Sequence, residues 1–399
     1  MSAGRALLIG AEENPALPIL ASLARAGVEV HAASHRRINV GFFSRHASRR
    51  LLIPPPRDEE AWLERLEAIV ARGRYDLVLA TGEDHTYLLA RHRARFEPHA
   101  IVPLPSLPVF MTCRDKSRTM REAARLGIPT PRTFDPDATT AEAIGREAGF
   151  PVVVKPNVSD GARGILYPAT ADELRAAIAA TRAAYGPCHV QEFVPHGGMQ
   201  YKAEVLMDGS GQVRAWCVYS KIRYYPPSGG SSTLNRTVDR PDILESAARM
   251  LRGIGWSGMG DCDFIEDPRD GVVRLMEINP RFTRSIKICV RAGVDFPHLL
   301  YRMALGESFA PVLTYRHGLM MRYLPADLAW FLRSPDRRSA RPGFFRSFVE
   351  APLEEIFSWD DPGPALAYLL TIARDLADPE SRRYRLRGGA GPAARTGAA

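Results

Sequence analysis

The chain has 399 residues, of which 45% are apolar and 25% charged, the proportions of an ordinary soluble globular protein and not of a disordered one or a small stapled scaffold, with room for two or three folded domains. Its net charge of +8 arises from arginines scattered along the sequence and not from one basic patch, which argues against nucleic acid as a partner. Glu12 and Glu13 interrupt any apolar leader, and no stretch approaches the ~18 apolar residues of a membrane span, so a soluble, cytoplasmic protein with no membrane partner is expected.

Residues 1–105 read as a small parallel α/β unit. Ala6 to Gly10 is a short apolar strand, Leu17 to Ala26 has a helical pattern, and Val28 to Val30 begins a second strand. Trp62 to Ala71 reads as a helix, with strands at Asp76 to Ala80 and Ile101 to Leu104. No glycine-rich dinucleotide fingerprint follows the first strand, since the chain runs Gly10-Ala11-Glu12-Glu13-Asn14-Pro15. Two acids at that turn would repel a pyrophosphate, so the unit is assigned to substrate and not to cofactor.

A helix is predicted from Arg114 to Leu126, stopped by Gly127 and by Ile128-Pro129-Thr130-Pro131. A small mobile lid follows at about residues 132–190, with helix Thr140 to Ala148, strand Pro151 to Lys155, helix Ala171 to Ala184 and strand His189 to Val194. Strands at Lys202 to Met207 and Val213 to Ile222, helix Pro241 to Ile254, a hairpin from Gly260 to Asn279 and helical patterns to about 305 come next. Residues 311–380 form an aromatic-rich extension of unassigned role, and the Gly/Ala-rich tail 381–399 is expected to be disordered. Cys113, Cys188, Cys217, Cys262 and Cys289 lie far apart without metal-binding spacing and are expected to be reduced and buried.

Against 48 arginines there are five lysines, Lys116, Lys155, Lys202, Lys221 and Lys287. A chain so biased toward guanidinium keeps an ammonium where a compact, rotatable charge is needed, which marks these positions as candidates for chemistry.

The hairpin carries the strongest signal. With a turn near Asp270, Asp263 pairs opposite Glu277, and Asp261, Asp263, Glu277, Asn279 and Arg281 share one face while Cys262, Phe264, Met276 and Ile278 take the other. Carboxylates directly opposite each other repel unless a cation lies between them; two carboxylates and an amide suit magnesium, which prefers oxygen ligands. Earlier in the chain, an apolar strand delivers Lys155 to a loop, Ser159-Asp160-Gly161-Ala162-Arg163-Gly164, whose glycines let backbone amides approach an anion. Gln191-Glu192-Phe193-Val194 leaves the lid as an extended segment able to offer backbone groups to a purine edge, with Glu192 accepting from an exocyclic amine. The segment from Lys221 to Thr233 is rich in turn formers and hydroxyls. Amides around Gly230 and Ser231 can cradle a carboxylate there, with Lys221 and Arg223 alongside as catalytic cations.

Taken in order, Asp115-Lys116, Pro151 to Lys155 with its glycine loop, Gln191 to Val194, Asp263, and Glu277-Ile278-Asn279-Pro280-Arg281 resemble the ATP-grasp superfamily over roughly residues 1–305. The stretch Asn279 to Gly306 is further similar to its carboxylate–amine ligases, a group with D-aspartate ligase-like and carbamoyl-phosphate synthase large-chain-like members. The resemblance implies a fold of α/β and α+β parts: an N-terminal Rossmann-like parallel domain at 1–105, and an ATP-grasp domain at 106–310 made of the lid and an antiparallel-sheet subdomain. It also implies that Lys116 and Lys155 contact the phosphates of ATP, and that Glu192, Phe193 and Val194 hold adenine. Asp263, Glu277 and Asn279 would hold one or two magnesium ions, with manganese able to substitute, and Arg281 would stabilise an acyl phosphate.

The chain departs from that pattern at Lys202, where relatives often carry an acid for the ribose, and at Thr283, Arg284 and Lys287, which suggest an anionic substrate pocket. Arg284 or Lys287 is therefore expected to pair with a second substrate carboxylate. The function implied is ATP-dependent joining of a small-molecule carboxylate to an amine, in a chain compatible with a homodimer. Two other readings are a bicarbonate-using carboxylase of the biotin carboxylase or carboxyaminoimidazole ribonucleotide synthase type, and a nucleotide-binding regulator without turnover.

Overall fold

The computed structural model describes residues 4–159, 161, 163–226 and 230–377; the tail 381–399 and the loop residues Asp160, Ala162 and Pro227 to Gly229 lie outside them. The first sheet is parallel, with strands β1 (Arg5–Ile9), β2 (Glu29–Ser34), β3 (Arg49–Leu52) and β4 (Leu77–Ala80) in the order β3-β2-β1-β4. Successive side chains of β1 point to opposite faces and so enter different cores. Ala6 and Leu8 pack with the helix Ala16–Arg25, whereas Leu7 and Ile9 pack with Trp62 and Leu66 of the helix Glu59–Gly73. That double burial is why the strand is apolar from Ala6 to Ile9. The strand expected at Ile101 to Leu104 reduces to one bridge, Leu77 to Ile101, because Pro103 and Pro105 have no amide hydrogen for a ladder.

The helix expected from Arg114 to Leu126 is present as Lys116–Arg125, and a separate helix, Leu107–Arg114, precedes it. Asp115 separates them in an extended conformation, its carboxylate accepting from the amides of Ser117 (2.9 Å) and Arg118 (3.2 Å). The cap leaves Lys116 as the first residue of the second helix.

A small antiparallel sheet follows, ordered β5-β7-β6, from β5 (Thr133–Phe134), β6 (Val152–Pro156) and β7 (Cys188–Glu192). The helices Ala141–Ala148 and Ala171–Tyr185 bury Ile144 and Leu174 against Val152, Val154 and Val190. The large sheet has seven strands, β8 (Gln200–Met207), β9 (Val213–Tyr225), β10 (Ser231–Thr237), β11 (Gly258–Glu266), β12 (Val273–Asn279), β13 (Met320–Arg322) and β14 (Leu353–Glu354), in the order β12-β11-β8-β9-β10-β13-β14. Its pairs are antiparallel except the last. Alternation along β9 again feeds two cores. Trp216 and Val218 meet the helix Pro241–Gly253, while Cys217 and Tyr219 face the helices Ile286–Arg291 and Phe296–Ala304, which also cover the parallel sheet. The fold is thus mixed α/β with parallel and antiparallel sheets, and all five cysteines are free and buried.

The helix Leu324–Arg333 is fastened to the large sheet by a buried charge. Asp327 is fully enclosed and accepts from Thr233 Oγ1 (2.9 Å), with the guanidinium of Arg223 at 3.0 Å. Replacing Asp327 by Ala strands a buried guanidinium, and a loss of about 3–5 kcal/mol is expected in urea denaturation.

Candidate active site

The three sheets meet around a cleft of about 710 Å³. The carboxyl ends of the parallel strands supply Glu12, Glu13, His35, Glu83 and His85; the small sheet and its loop supply Lys155, Ser159, Gly161, Glu192, Phe193 and Val194; the large sheet supplies Lys202, Lys221, Asp263, Glu277, Asn279 and Arg281. Lys116 enters from its helix start, and Gly230 and Ser231 from β10.

The hairpin has the expected register, with Asp261 opposite Asn279 and Asp263 opposite Glu277. One residue further the pairing slips, so that Phe264 faces Leu275. The slip corrects one assignment: Met276, expected in the core, lines the cleft, and Leu275 takes its place beside Cys262 and Ile278.

Cations do lie among the carboxylates, and here they are lysines. Lys202 Nζ pairs with Asp261 and stands 3.3 Å from Asp263 Oδ2; Lys221 Nζ pairs with Asp263 Oδ1. Asn279 Nδ2 donates to Asp261 Oδ2 (3.1 Å) and Asp263 Oδ2 (2.9 Å). Burial raises the Asp263 carboxyl, yet Lys202 and Lys221 outweigh it and hold Asp263 below the usual range. Asp261, fully enclosed, stays raised by burial despite Lys202, and Glu204 beneath it is raised by burial and by the charge of Asp261. Lys116 bridges the sheets, donating to Ser159 O (2.5 Å) and lying 3.3 Å from Glu277. Lys155 is buried, donates to Gln191 Oε1 (2.6 Å), and is pushed down by burial to about 8, with Glu277 opposing the shift.

Other expected residues have different surroundings. Glu192 lines the cleft, but its carboxylate is engaged by Arg132 Nε (2.9 Å) and Arg269 Nη2 (2.6 Å), which overcome burial and hold it below its ordinary value. Gly164 sits at the base of its loop, with φ of +75° and no room for a Cβ against Tyr185 and Pro156. Arg223 is buried on Asp327 and Ser347 and does not line the cleft. Arg284 does line it, but Glu355 holds its guanidinium at 3.1 Å. Lys287 points away, donating to the carbonyls of Glu354 (2.6 Å), Glu355 (3.2 Å) and Phe357 (3.2 Å) and to Ser358 Oγ (2.9 Å). Of the two cations expected to meet a second substrate carboxylate, Lys287 is turned away from the cleft, which corrects that half of the expectation, while Arg284 lines the cleft with Glu355 already beside it.

The sequence reading missed the wall at the end of the parallel sheet. Arg281 pairs with Glu83 (3.2 Å), aided by a bridge between Thr81 and Phe282 that ties β4 to the chain beyond β12. Glu12 Oε1 lies 2.9 Å from His35 Nδ1 and 3.1 Å from His85 Nε2. This trio has the size of a metal site. However, Trp62 Nε1 donates to His85 Nδ1 (3.2 Å), which puts the proton of His85 on Nε2, the atom a metal would need. The available signal was topological: ligands gather at the carboxyl ends of parallel strands.

Residues 115–311, which hold most of this geometry, match the family model of the carbamoyl-phosphate synthase L chain, ATP binding domain. The span is an ATP-grasp domain. The C-terminal section of the carbamoyl phosphate synthase large chain of Methanopyrus kandleri is 25% identical over 209 residues, 50% of this chain and 38% of that protein, so the chain spans well under half of that relative. Among solved structures, the biotin carboxylase domain dimer of the Hydrogenobacter thermophilus 2-oxoglutarate carboxylase, complexed with MgADP, ADP and bicarbonate, has a TM-score of 0.65 at 19% identity, covering 80% of this chain and 74% of that one. The L-amino acid ligase of Bacillus licheniformis has a TM-score of 0.62 at 16% identity, covering 79% and 78%. Such structural likenesses establish the ATP-grasp fold.

Lys287→Met removes a donor from three carbonyls of one segment. Faster amide exchange across residues 353–358 and a lower melting temperature are expected, and an unchanged exchange pattern would show that the ammonium is not what holds that segment.

Proposed function

We propose that the protein is an ATP-dependent ligase that activates a carboxylate and joins it to an amine. The γ-phosphoryl group passes to the carboxylate oxygen, giving an acyl phosphate and ADP; the amine nitrogen then attacks the acyl carbon, phosphate leaves, and a C–N bond and a released proton result. The carrying observation is the convergence of Lys116, Lys155, Asp263, Glu277, Asn279 and Arg281 on one cleft, all within the matched ATP-binding span.

Phosphoryl transfer depends mainly on positioning and charge neutralisation, which suits this residue set. Lys116 and Lys155 would hold the phosphates from the side of the small sheet, and the backbone of Phe193 and Val194 would flank the base. Ser159 and Gly161 would close over the phosphates, while Gly230 and Ser231 would present amides to the acid. Arg281, fixed by Glu83, would face charge developing on the acyl oxygen. Oxygen donors for a divalent cation are present. Asp263 is buried with its Oδ1 paired to Lys221 Nζ, Glu277 opens on the cleft, and Asn279 uses only its side-chain amide nitrogen internally. Magnesium bound there would neutralise phosphate charge, and Lys221 would have to yield its place on Asp263. Bicarbonate as the acid is a second reading, favoured by Glu355 neutralising Arg284, which leaves less cationic charge for a larger organic acid. A homodimer, checked by light scattering, is compatible with either reading.

ADP release across a panel of amino acids, small peptides and bicarbonate tests the proposal. Stimulation by a carboxylate–amine pair is expected, and silence across the panel would sink it. Asp263→Asn and Glu277→Gln should each lower turnover by roughly 10²–10³-fold, Asp263→Asn with a lowered melting temperature as well, because it removes the partner of Lys221.

Lys155 adds a pH dependence. Its depressed value means that the ammonium dominates only below about 8. ADP affinity should be level below that pH and weaken above it by up to roughly tenfold per pH unit as the proton is lost. Calorimetric titration of wild type and Lys155→Met decides the matter: an identical slope in the variant would rule Lys155 out.

A further inference from the structure

Residues 324–350 carry an apolar surface far from any use in the ligase chemistry. Leu328 and Leu332 lie one turn apart on the helix Leu324–Arg333, and Phe331 between them stacks on Phe344 at 4.5 Å and meets Phe345 edge-on at 5.4 Å. Phe344 in turn touches Phe348, so the helix and the segment 345–349 form one continuous face. Its outer side chains protrude: Val349 is 83% exposed, Phe345 71% and Leu332 66%. Large apolar side chains grouped in this way mark an interaction surface and not ordinary scatter.

The charge around this face is one-sided. Between positions 333 and 350 the chain has five arginines, Arg333, Arg337, Arg338, Arg341 and Arg346, all exposed, and two acids, Asp336 and Glu350, the latter paired with Arg346. A second copy of the chain, docking face to face about a two-fold axis, would set the two arginine groups against each other. A groove-binding peptide would need a concavity, whereas these side chains project outward. Protruding Phe, Leu and Val rimmed by guanidinium groups match what an anionic bilayer surface offers: an apolar boundary for the side chains and phosphates for the arginines.

We infer that residues 328–349 dock the protein peripherally on anionic lipid headgroups. Among the described residues no helix is long and apolar enough to cross a membrane, so the contact is a surface one. It departs from the expectation of no membrane partner. The docking is independent of the ligase reading, since it uses none of the cleft residues.

Co-sedimentation of the full chain with vesicles tests it, using phosphatidylcholine alone and phosphatidylcholine mixed with phosphatidylglycerol, at rising salt. Binding only to the mixed vesicles, weakening with salt, is expected. Val349→Glu should abolish it without changing the melting temperature, because the side chain is exposed. The triple variant Arg337→Gln, Arg338→Gln, Arg341→Gln should weaken it on the order of a hundredfold. No sedimentation with either vesicle, or binding unaltered by these variants, overturns the inference. So does a dimer in light scattering that Val349→Glu dissociates, which would make the face a self-interface.

Discussion

The structure depends on a buried lattice of opposite charges carried by adjacent antiparallel strands. Lys202 on β8 sits across from Asp263 on β11, Glu204 across from Asp261, and Asp261 across from Asn279 on β12. Lys221 on β9 completes the lattice by pairing with Asp263. None of these charges tolerates enclosure alone, since removing one partner of a buried pair typically costs about 3–5 kcal/mol. Register is therefore specified twice. A slip by one residue would turn Lys202 into the core that holds Ala203 and Val205, and would expose that core to the cleft. The polar face that makes the site chemically useful is also what keeps the four strands aligned.

The same lattice explains why the cleft lies where three sheets meet. Lys116 reaches Glu277 only because Asp115 caps a helix at that point, and Lys155 reaches its place only because β6 ends there. Arg281 is drawn toward the parallel sheet by Glu83, and the bridge between Thr81 and Phe282 fixes the distance. Charges from three separately packed cores thus offset one another across the cleft. A bound polyphosphate would tip that balance, which is why cations already paired with carboxylates can still serve an anionic ligand.

Much of the site was legible because strand periodicity is a local property. Alternation through Gly260 to Asn279 placed Asp263 opposite Glu277, and a scarcity of lysine singled out four residues of the cleft. Met276 escaped because a bulge adds a residue to one strand without changing its composition. Arg223 and Lys287 were misassigned for another reason. Their partners are Asp327 and the carbonyls near Glu355, far along the chain, and a cation with a distant internal partner looks in sequence like a cation awaiting a ligand. The histidines beside Glu12 were invisible on the same grounds, since they gather only when the parallel strands are side by side.

Glu355 bears on what the relatives can and cannot say about substrate. It pairs with Arg284, is anchored by Asn14 Nδ2 at 2.6 Å, and belongs to a segment that Lys287 holds through three carbonyls. That segment, with β14 and the helix bearing Asp327, lies beyond residue 311, where the matched ATP-binding span ends. The side of the cleft bearing Lys116, Lys155, Asp263 and Glu277 is therefore built from matched residues. The wall around Arg284 is completed by residues outside the match, and one of its contacts, Asn14 to Glu355, joins the chain after β1 to the residue just beyond β14. A chain keeping residues 115–311 but differing near 355 would keep Lys116 and Lys155 and present Arg284 uncompensated. The charge balance around Arg284 is thus set by the C-terminal segment, independently of the lattice around Asp263.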